Sequence, residues 1–350
     1  MKISFFIGSM GRGGAERVIS TLANDYCNRG WDVEIAVLLK NIVEYPLDAR
    51  IRIVDISQKA GGYLQNAFYW VWGIRSYLKA RKPDRVVSFV GRINALVLTA
   101  SIGLKIPIVV SERNDPKHDG RGRLMQWYCN RIYHLAKAIV YQNEYEKSCF
   151  NESLSKRGYI IPNPVKVTAH KENYDTKTIV TAGRLIEQKN QAMLIRAMEK
   201  IHKKYPEVKC KIYGEGPLRR TLQQQIEALN LQNTVTLEGN VPDIHERLAQ
   251  CGIFVLTSNF EGLSNALIEA MMVGLPCIST DYPGVRELIE DSANGLVVPL
   301  NNVDALVQNI ERLIENKDDY FYTIANRGQA ESSQFCAQNV LALWQNVIGE

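Results

Sequence analysis

No stretch of this 350-residue sequence runs for 18 apolar residues without interruption. The longest candidate, 93–104, is broken by Asn94 and closed by Lys105, so no membrane-crossing helix is expected. The opening MKISFFIGSMGRGG is too short in its apolar part for a signal peptide and reads as a first strand. The seven cysteines are odd in number and scattered over 27, 129, 149, 210, 251, 277 and 336. None stands in a C-x-x-C pair and no Cys/His cluster has zinc spacing, so reduced thiols in a cytoplasmic protein are expected. No D-x-D pair offers a metal clamp for a diphosphate, so neither metal nor cofactor is expected. Also missing are a G-x-S-x-G hydrolase turn, an internal repeat, a low-complexity tract and any nucleic-acid-binding module.

What is present reads as ordinary globular protein. Hydrophobic residues make up 46% and charged residues 23%, which excludes wholesale disorder, and the length suggests about two domains. The net charge of +5 is unevenly spread. Through residue 163 there are 24 Lys and Arg against 14 Asp and Glu, a balance of +10; from 164 onward it is 18 against 23, or −5. A basic first half calls for an anionic partner, either a membrane surface or a phosphorylated acceptor.

Short apolar runs alternate with helical patterns. Strands are expected at 2–7, 33–39, 51–55, 85–89, 106–111 and 138–142, with helices at 15–29, 63–82, 93–102 and 123–136. After 159–165 and the polar run 166–177 the alternation restarts. Strands follow at 178–182, 210–213, 234–238, 253–256, 276–280 and 295–298, and helices at 188–204, 218–229, 243–250, 285–290 and 303–315. A last helical stretch spans 329–348. Such alternation implies doubly wound parallel sheets, with domains at 1–163 and 164–328.

Several glycine turns follow strands. Gly13 and Gly14 end the turn 8–14, as a phosphate-binding turn should. A dinucleotide fold would also place an acid at the end of its second strand; Leu38-Leu39-Lys40 stands there, which counts against NAD. Gly183-Arg184-Leu185 precedes Gln188-Lys189-Asn190, so Arg184 as a fork and Lys189 as a point charge can converge on one diphosphate. Gly214 and Gly216 lie in Tyr213-Gly214-Glu215-Gly216-Pro217, and Val241 in Gly239-Asn240-Val241-Pro242. Taken singly, each is only a turn or a pair of solvated cations.

The richest stretch is 252–274, GIFVLTSNFEGLSNALIEAMMVG. A buried strand turns through Glu261, Gly262 and Leu263, and Ser264 or Asn265 caps a helix that Gly274 stops. Helix N–H groups suit a phosphate, and Glu261 and Glu269 suit sugar hydroxyls. By spacing alone the two could equally be a loop charge and a solvated helix face.

In order and spacing these segments resemble the retaining glycosyltransferases of family 4, of the bacterial polysaccharide and lipid-linked oligosaccharide type. The match rests on GGAER, SERNDP, Pro162-Asn163-Pro164, GRLIEQKN, GEGP, the Glu261/Glu269 pair and NGLVVP at 294–299. The resemblance implies the GT-B architecture, two Rossmann-like domains facing a cleft, with the C-terminal helix (about 329–350) returning to the first, acceptor-side domain. It implies transfer of a sugar, hexosyl or N-acetylhexosaminyl, from a nucleotide diphosphate donor (UDP favoured) to a saccharide or polyprenyl-diphosphate-linked saccharide. Gly13, Gly14, Gly183, Arg184 and Lys189 would meet the diphosphate. Gly214, Gly216 and Val241 would line the base, and Gly262, Leu263 and Ser264 the donor turn. Glu261 would contact the transferred sugar and Glu269 the ribose. Relatives often carry a His near 113–115; here Arg113 and Asp115 are the candidate first-domain contacts, with His118 nearby. A nucleotide-sugar epimerase and a non-catalytic sugar-nucleotide binder are the rival readings. The stretches 68–82 and 121–137 interleave aromatics with Arg and Lys. They fit either a peripheral membrane face or core helices with a basic outer side.

Overall fold

The computed structural model describes residues 1–11, 13–56, 63–171, 177–315 and 319–349. Part of the polar run 166–177, namely 172–176, lies outside the described residues. The chain divides into two compact units, Met1–Pro164 with Ala337–Glu350, and Val165–Cys336.

The first unit is built on seven parallel strands: β1 Lys2–Ile7, β2 Asp32–Val37, β3 Arg52–Asp55, β4 Arg85–Phe89, β5 Ile108–Ser111, β6 Ala138–Tyr141 and β7 Gly158–Ile160. Their order is β3-β2-β1-β4-β5-β6-β7. Alternation along each strand feeds two cores. Ile3, Phe5 and Ile7 enter one and Phe6 the other, each burying apolar surface worth roughly 1.5–3 kcal/mol per large side chain. The helix Ala337–Ile348 sends Val340, Trp344 and Val347 into the first of these cores, where Trp344 lies 5.8 Å from the Phe89 ring.

The second unit has six parallel strands: β8 Thr178–Ala182, β9 Lys209–Tyr213, β10 Val235–Gly239, β11 Ile253–Leu256, β12 Cys277–Thr280 and β13 Leu296–Val298. Their order is β10-β9-β8-β11-β12-β13. Ile253 and Val255 pack on one face, Phe254 and Leu256 on the other, which is why this run is continuously apolar. The order reverses between β8 and β11, so the loops beyond their carboxyl ends splay apart and leave room for a ligand.

Both sheets are parallel and doubly wound, as the alternation predicts. Differences concern short pieces. The three-residue strand β7 had no sequence signal of its own, because its pairing to β6 alone defines it. The expected helix at 285–290 is a single 3-10 turn, Val285–Glu287. The expected last helix splits. Tyr320–Ser332 belongs to the second unit, a 3-10 turn covers Ser333–Phe335, and Ala337–Ile348 belongs to the first. Among the described residues, no helix is long and apolar enough to cross a membrane.

Helices Tyr63–Arg81 and Gly122–Ile132 each bury one face in the core and expose the other. Trp70, Ile74 and Leu78, and Cys129 and Ile132, are buried in the core. Phe68 (72% exposed), Trp72 (64%), Leu124 (85%) and Trp127 (60%) face outward, and the Arg131 guanidinium lies over the Trp127 ring.

Candidate active site

Three loops at carboxyl ends of strands meet in the second unit. Beyond β8, Lys189 and Asn190 offer their carbonyls to the Thr257 hydroxyl (3.1 and 3.0 Å), which follows β11. Asn259 ties the same two loops again, its N–H donating to Gln188 O at 2.8 Å and its amide to Glu187 O at 2.9 Å. Beyond β9, Gly214 at φ +132° packs backbone against backbone: a Cβ there would stand 2.0 Å from Gly183 O. At Gly216 it would stand 2.4 Å from Leu185 O. Leu185 N donates to Glu215 O at 3.0 Å, fixing the turn over the Gly183–Leu185 segment. Val241, after β10, is half-buried against the neighbouring core.

Glu261 is the centre of this knot. It is buried, and its Oε1 accepts from Lys189 Nζ and from Ser258 Oγ, each at 2.5 Å. Gln188 Nε2 reaches Oε2 at 3.3 Å. Lys189 is therefore neutralised in part and held in place by the glutamate. Arg184, by contrast, is exposed, and its side chain makes no hydrogen bond or ion pair among the described residues. Beside them Tyr282 is buried with an unpartnered hydroxyl, and burial first, then the Glu261 charge, push its phenol well above the ordinary range.

Gly262 and Leu263 lead into the helix Asn265–Val273, for which Ser264 is the N-cap residue. Its hydroxyl makes no capping bond: Ser264 Oγ is buried and unpartnered at the head of the helix. Unsatisfied helix N–H groups and a buried hydroxyl donor together favour an anion. Gly274, at φ +101°, closes the helix. One turn inside it, Glu269 is buried, with His245 Nε2 at 3.8 Å from its Oε2.

The sequence-chosen residues of the second half, Gly183, Arg184, Lys189, Gly214, Gly216, Val241, Gly262, Leu263, Ser264, Glu261 and Glu269, thus all lie on loops or helix starts at one end of one sheet. Ser258, Gln188, Tyr282 and His245 join them unannounced. Ser258 and Gln188 had local cues, the first standing three residues before Glu261 in the same turn and the second beside Lys189 in the GRLIEQKN segment; Tyr282 and His245 had none.

The first unit holds the others. Gly13 precedes and Gly14 begins the helix Gly14–Asn28, and Tyr45 Oη donates to Gly13 O at 3.1 Å. Arg113 is buried rather than presented on a loop. Its Nε donates to Ser111 Oγ (2.8 Å) and its Nη1 to Asn163 Oδ1 (2.8 Å) and Ile161 O (3.1 Å). Its guanidinium also lies over Phe89 and Trp344. Burial pushes it down to about 10, with Glu146 opposing. Asp115 is also buried and accepts from His118 Nδ1 at 2.7 Å and from Lys117 N at 2.9 Å. These contacts lock the segment after β5.

Comparison with known proteins supplies the class. Residues 12–169 match the family model described as Glycosyltransferase Family 4, and residues 164–328 the model described as Glycosyl transferases group 1. The protein belongs to glycosyltransferase family 4. It is similar to an uncharacterised glycosyltransferase of Haemophilus influenzae, at 26% identity over 99% of each chain. It is also 26% identical to a Campylobacter jejuni enzyme, over 100% of this chain and 99% of that one. That enzyme is named as an α-1,4-N-acetyl-D-galactosaminyltransferase acting on a diNAcBac-PP-undecaprenol-linked GalNAc acceptor. Among solved structures, Anabaena HepE in complex with UDP superposes with a TM-score of 0.82 at 21% identity, covering 99% of each chain. The fold is GT-B and the protein is a glycosyltransferase, which sets aside the epimerase and the non-catalytic binder.

Proposed function

We propose that this glycosyltransferase moves a sugar from a UDP-sugar, with retention, to a saccharide carried on a polyprenyl diphosphate during surface-glycan assembly. One observation carries the reading: Lys189, clamped by Glu261, lies among the same loops as a helix whose buried Ser264 hydroxyl has no partner. Cation, helix N–H groups and hydroxyl are the donors a departing diphosphate needs. The exposed Arg184 adds a bidentate fork. Glu261 keeps lone pairs for hydroxyls of the transferred sugar, and Glu269 takes the ribose. Gly214, Gly216 and Val241 line the base. No metal takes part in this proposal, because the cations do its work. UDP is favoured because HepE was crystallised with it, and a lipid-linked acceptor because the Campylobacter relative is named for one.

Lipid-linked acceptors reside in a bilayer. The outward aromatics Phe68, Trp72 and Trp127, on a unit with excess positive charge, suit the anionic inner face of the cytoplasmic membrane. Purified protein incubated with UDP- and GDP-sugars, with and without bacterial lipid extract and with and without EDTA, tests the reading. Product is expected from a UDP-sugar only when lipid acceptor is present, and EDTA should leave the rate unchanged. Transfer from GDP-sugars alone would overturn the donor assignment.

A further inference from the structure

Beside Glu269 the structure leaves one donor unused. His245 stands in the helix Ile244–Ala249, after β10, and its side chain is only 13% exposed. Its Nδ1 lies 3.3 Å from the backbone N–H of Thr168. A backbone N–H can only donate, and the Thr168 hydroxyl, 3.2 Å from Nδ1, can donate as well; with Nδ1 accepting, the neutral imidazole carries its proton on Nε2. That Nε2 is buried and has no hydrogen-bond partner, and a buried unpaired N–H carries a penalty that a ligand would relieve. The nearest carboxylate oxygen, Glu269 Oε2, is 3.8 Å away, too far for a direct hydrogen bond.

We propose that His245 and Glu269 together grip one hydroxyl of the donor's ribose, His245 Nε2–H donating to its oxygen while Glu269 accepts its proton. A hydroxyl is the group that satisfies both at once, being donor and acceptor in one atom. An oxygen about 2.8 Å from each fits a 3.8 Å gap at an angle of about 85°, and a small rotation of the Glu269 carboxylate opens it towards tetrahedral. A phosphate oxygen would suit His245 but repel Glu269; an amine would do the reverse. Pairing the two selects a ribonucleotide over its deoxy counterpart. The inference rests on Glu269 taking the ribose, as proposed above, and adds a residue to that site. Thr168 is then a positioning residue, since it fixes the tautomer.

Calorimetry with UDP, 2′-deoxy-UDP and 3′-deoxy-UDP tests this on wild type, His245→Phe and His245→Gln. Wild type should bind one deoxy nucleotide about tenfold more weakly than UDP, the scale of one unsatisfied buried polar group. In His245→Phe that ratio should shrink several-fold. In His245→Gln, whose amide can donate from nearly the same place, part of it should return. A purely structural role would weaken all three ligands alike and leave the ratio untouched. In wild type, the ¹⁵N signal of His245 Nε2 should also move on adding UDP and stay put with the discriminated analogue. Unchanged ratios in both variants, or a silent Nε2 signal on UDP binding, would overturn the assignment of His245 alone. Failure of wild type to bind any nucleoside diphosphate would overturn the donor reading and this one with it.

Discussion

Arg184 and Lys189 carry the same charge in different settings. Arg184 is exposed and unengaged among the described residues, whereas the Lys189 side chain is only 14% exposed and paired with Glu261 at 2.5 Å. Arg184→Lys would keep the charge and lose the fork; Lys189→Ala would lose the charge and leave Glu261 with Ser258 and Gln188 only. Each should cost on the order of 2–4 kcal/mol in kcat/KM with the protein still folded, read by steady-state kinetics beside thermal unfolding. Arg184→Lys should leave Tm unchanged, whereas Lys189→Ala should lower it, because the buried Glu261 loses its cation. Near-normal turnover in both would remove them from the mechanism. The two glutamates should separate by ligand. Glu269→Gln should weaken free UDP by roughly 1–3 kcal/mol; Glu261→Gln should spare UDP and slow turnover of the whole donor. Calorimetry with UDP set against kinetics with donor decides it, and the opposite pattern would reverse the donor's placement along the site. Glu261, Glu269, Arg184 and Lys189 were legible because each sits in a turn or helix start with a recognisable spacing. His245 and Tyr282 were not, since they come from separate elements and carry no spacing to either glutamate.

Elements decide how the turns hold their shape. The β9 turn works only without side chains, because Gly214 and Gly216 let one backbone rest on another. Gly214→Ala would place a Cβ 2.0 Å from Gly183 O at a φ that L residues rarely adopt, so the turn must shift. The expected result is weaker UDP binding together with a lower melting temperature for the second unit; unchanged UDP affinity would show that the turn does not shape the base site. The two aromatic-basic helices of the first unit pose the complementary question. Their buried residues bear out the core reading, and their exposed aromatics leave the membrane reading to a binding measurement. Vesicle co-sedimentation should rise with anionic lipid and fall with salt, as surface attraction is screened over about 8 Å at physiological ionic strength. Trp72→Ser with Trp127→Ser should reduce it. Equal binding to neutral vesicles, or none at all, would leave the exposed aromatics without a membrane role.

At the scale of the whole molecule, the first unit is finished by residues far away in sequence. Trp344 is fully buried beside Phe89 and under the Arg113 guanidinium. Trp344→Ala should therefore destabilise that unit by about 3–5 kcal/mol and leave the unfolding of the second unit in place, seen as two separated transitions in calorimetry. The same unit buries a carboxyl group. Glu146 is fully enclosed and held by Gln142, and burial pushes its carboxyl up to about 8. The folded protein then keeps a proton that the unfolded chain releases near the ordinary glutamate value. Its contribution to stability is fully present below that value and declines as pH rises towards 8, at up to about 1.4 kcal/mol per pH unit. Glu146→Gln should flatten this slope between pH 5 and 8; an unchanged slope would show that Glu146 is ionised in the folded state.

The sequence by itself determined the two parallel sheets, since strands buried on both faces must be continuously apolar and crossovers must be helical. It also marked the turns and charges that gather at the candidate site, because a tight turn demands glycine and the cations stand in the same turns. Tertiary structure alone decided who partners whom. It clamped Lys189 onto Glu261 and left Arg184 exposed, a difference of neighbours that no local pattern encodes. It drew Arg113 off the surface, where Ser111, Asn163 and Trp344 enclose it from three separated segments. It likewise divided the terminal stretch between two units, because the faces of its helices match different cores. Local periodicity records that a residue will be buried; only the assembled sheet and its loops record against what.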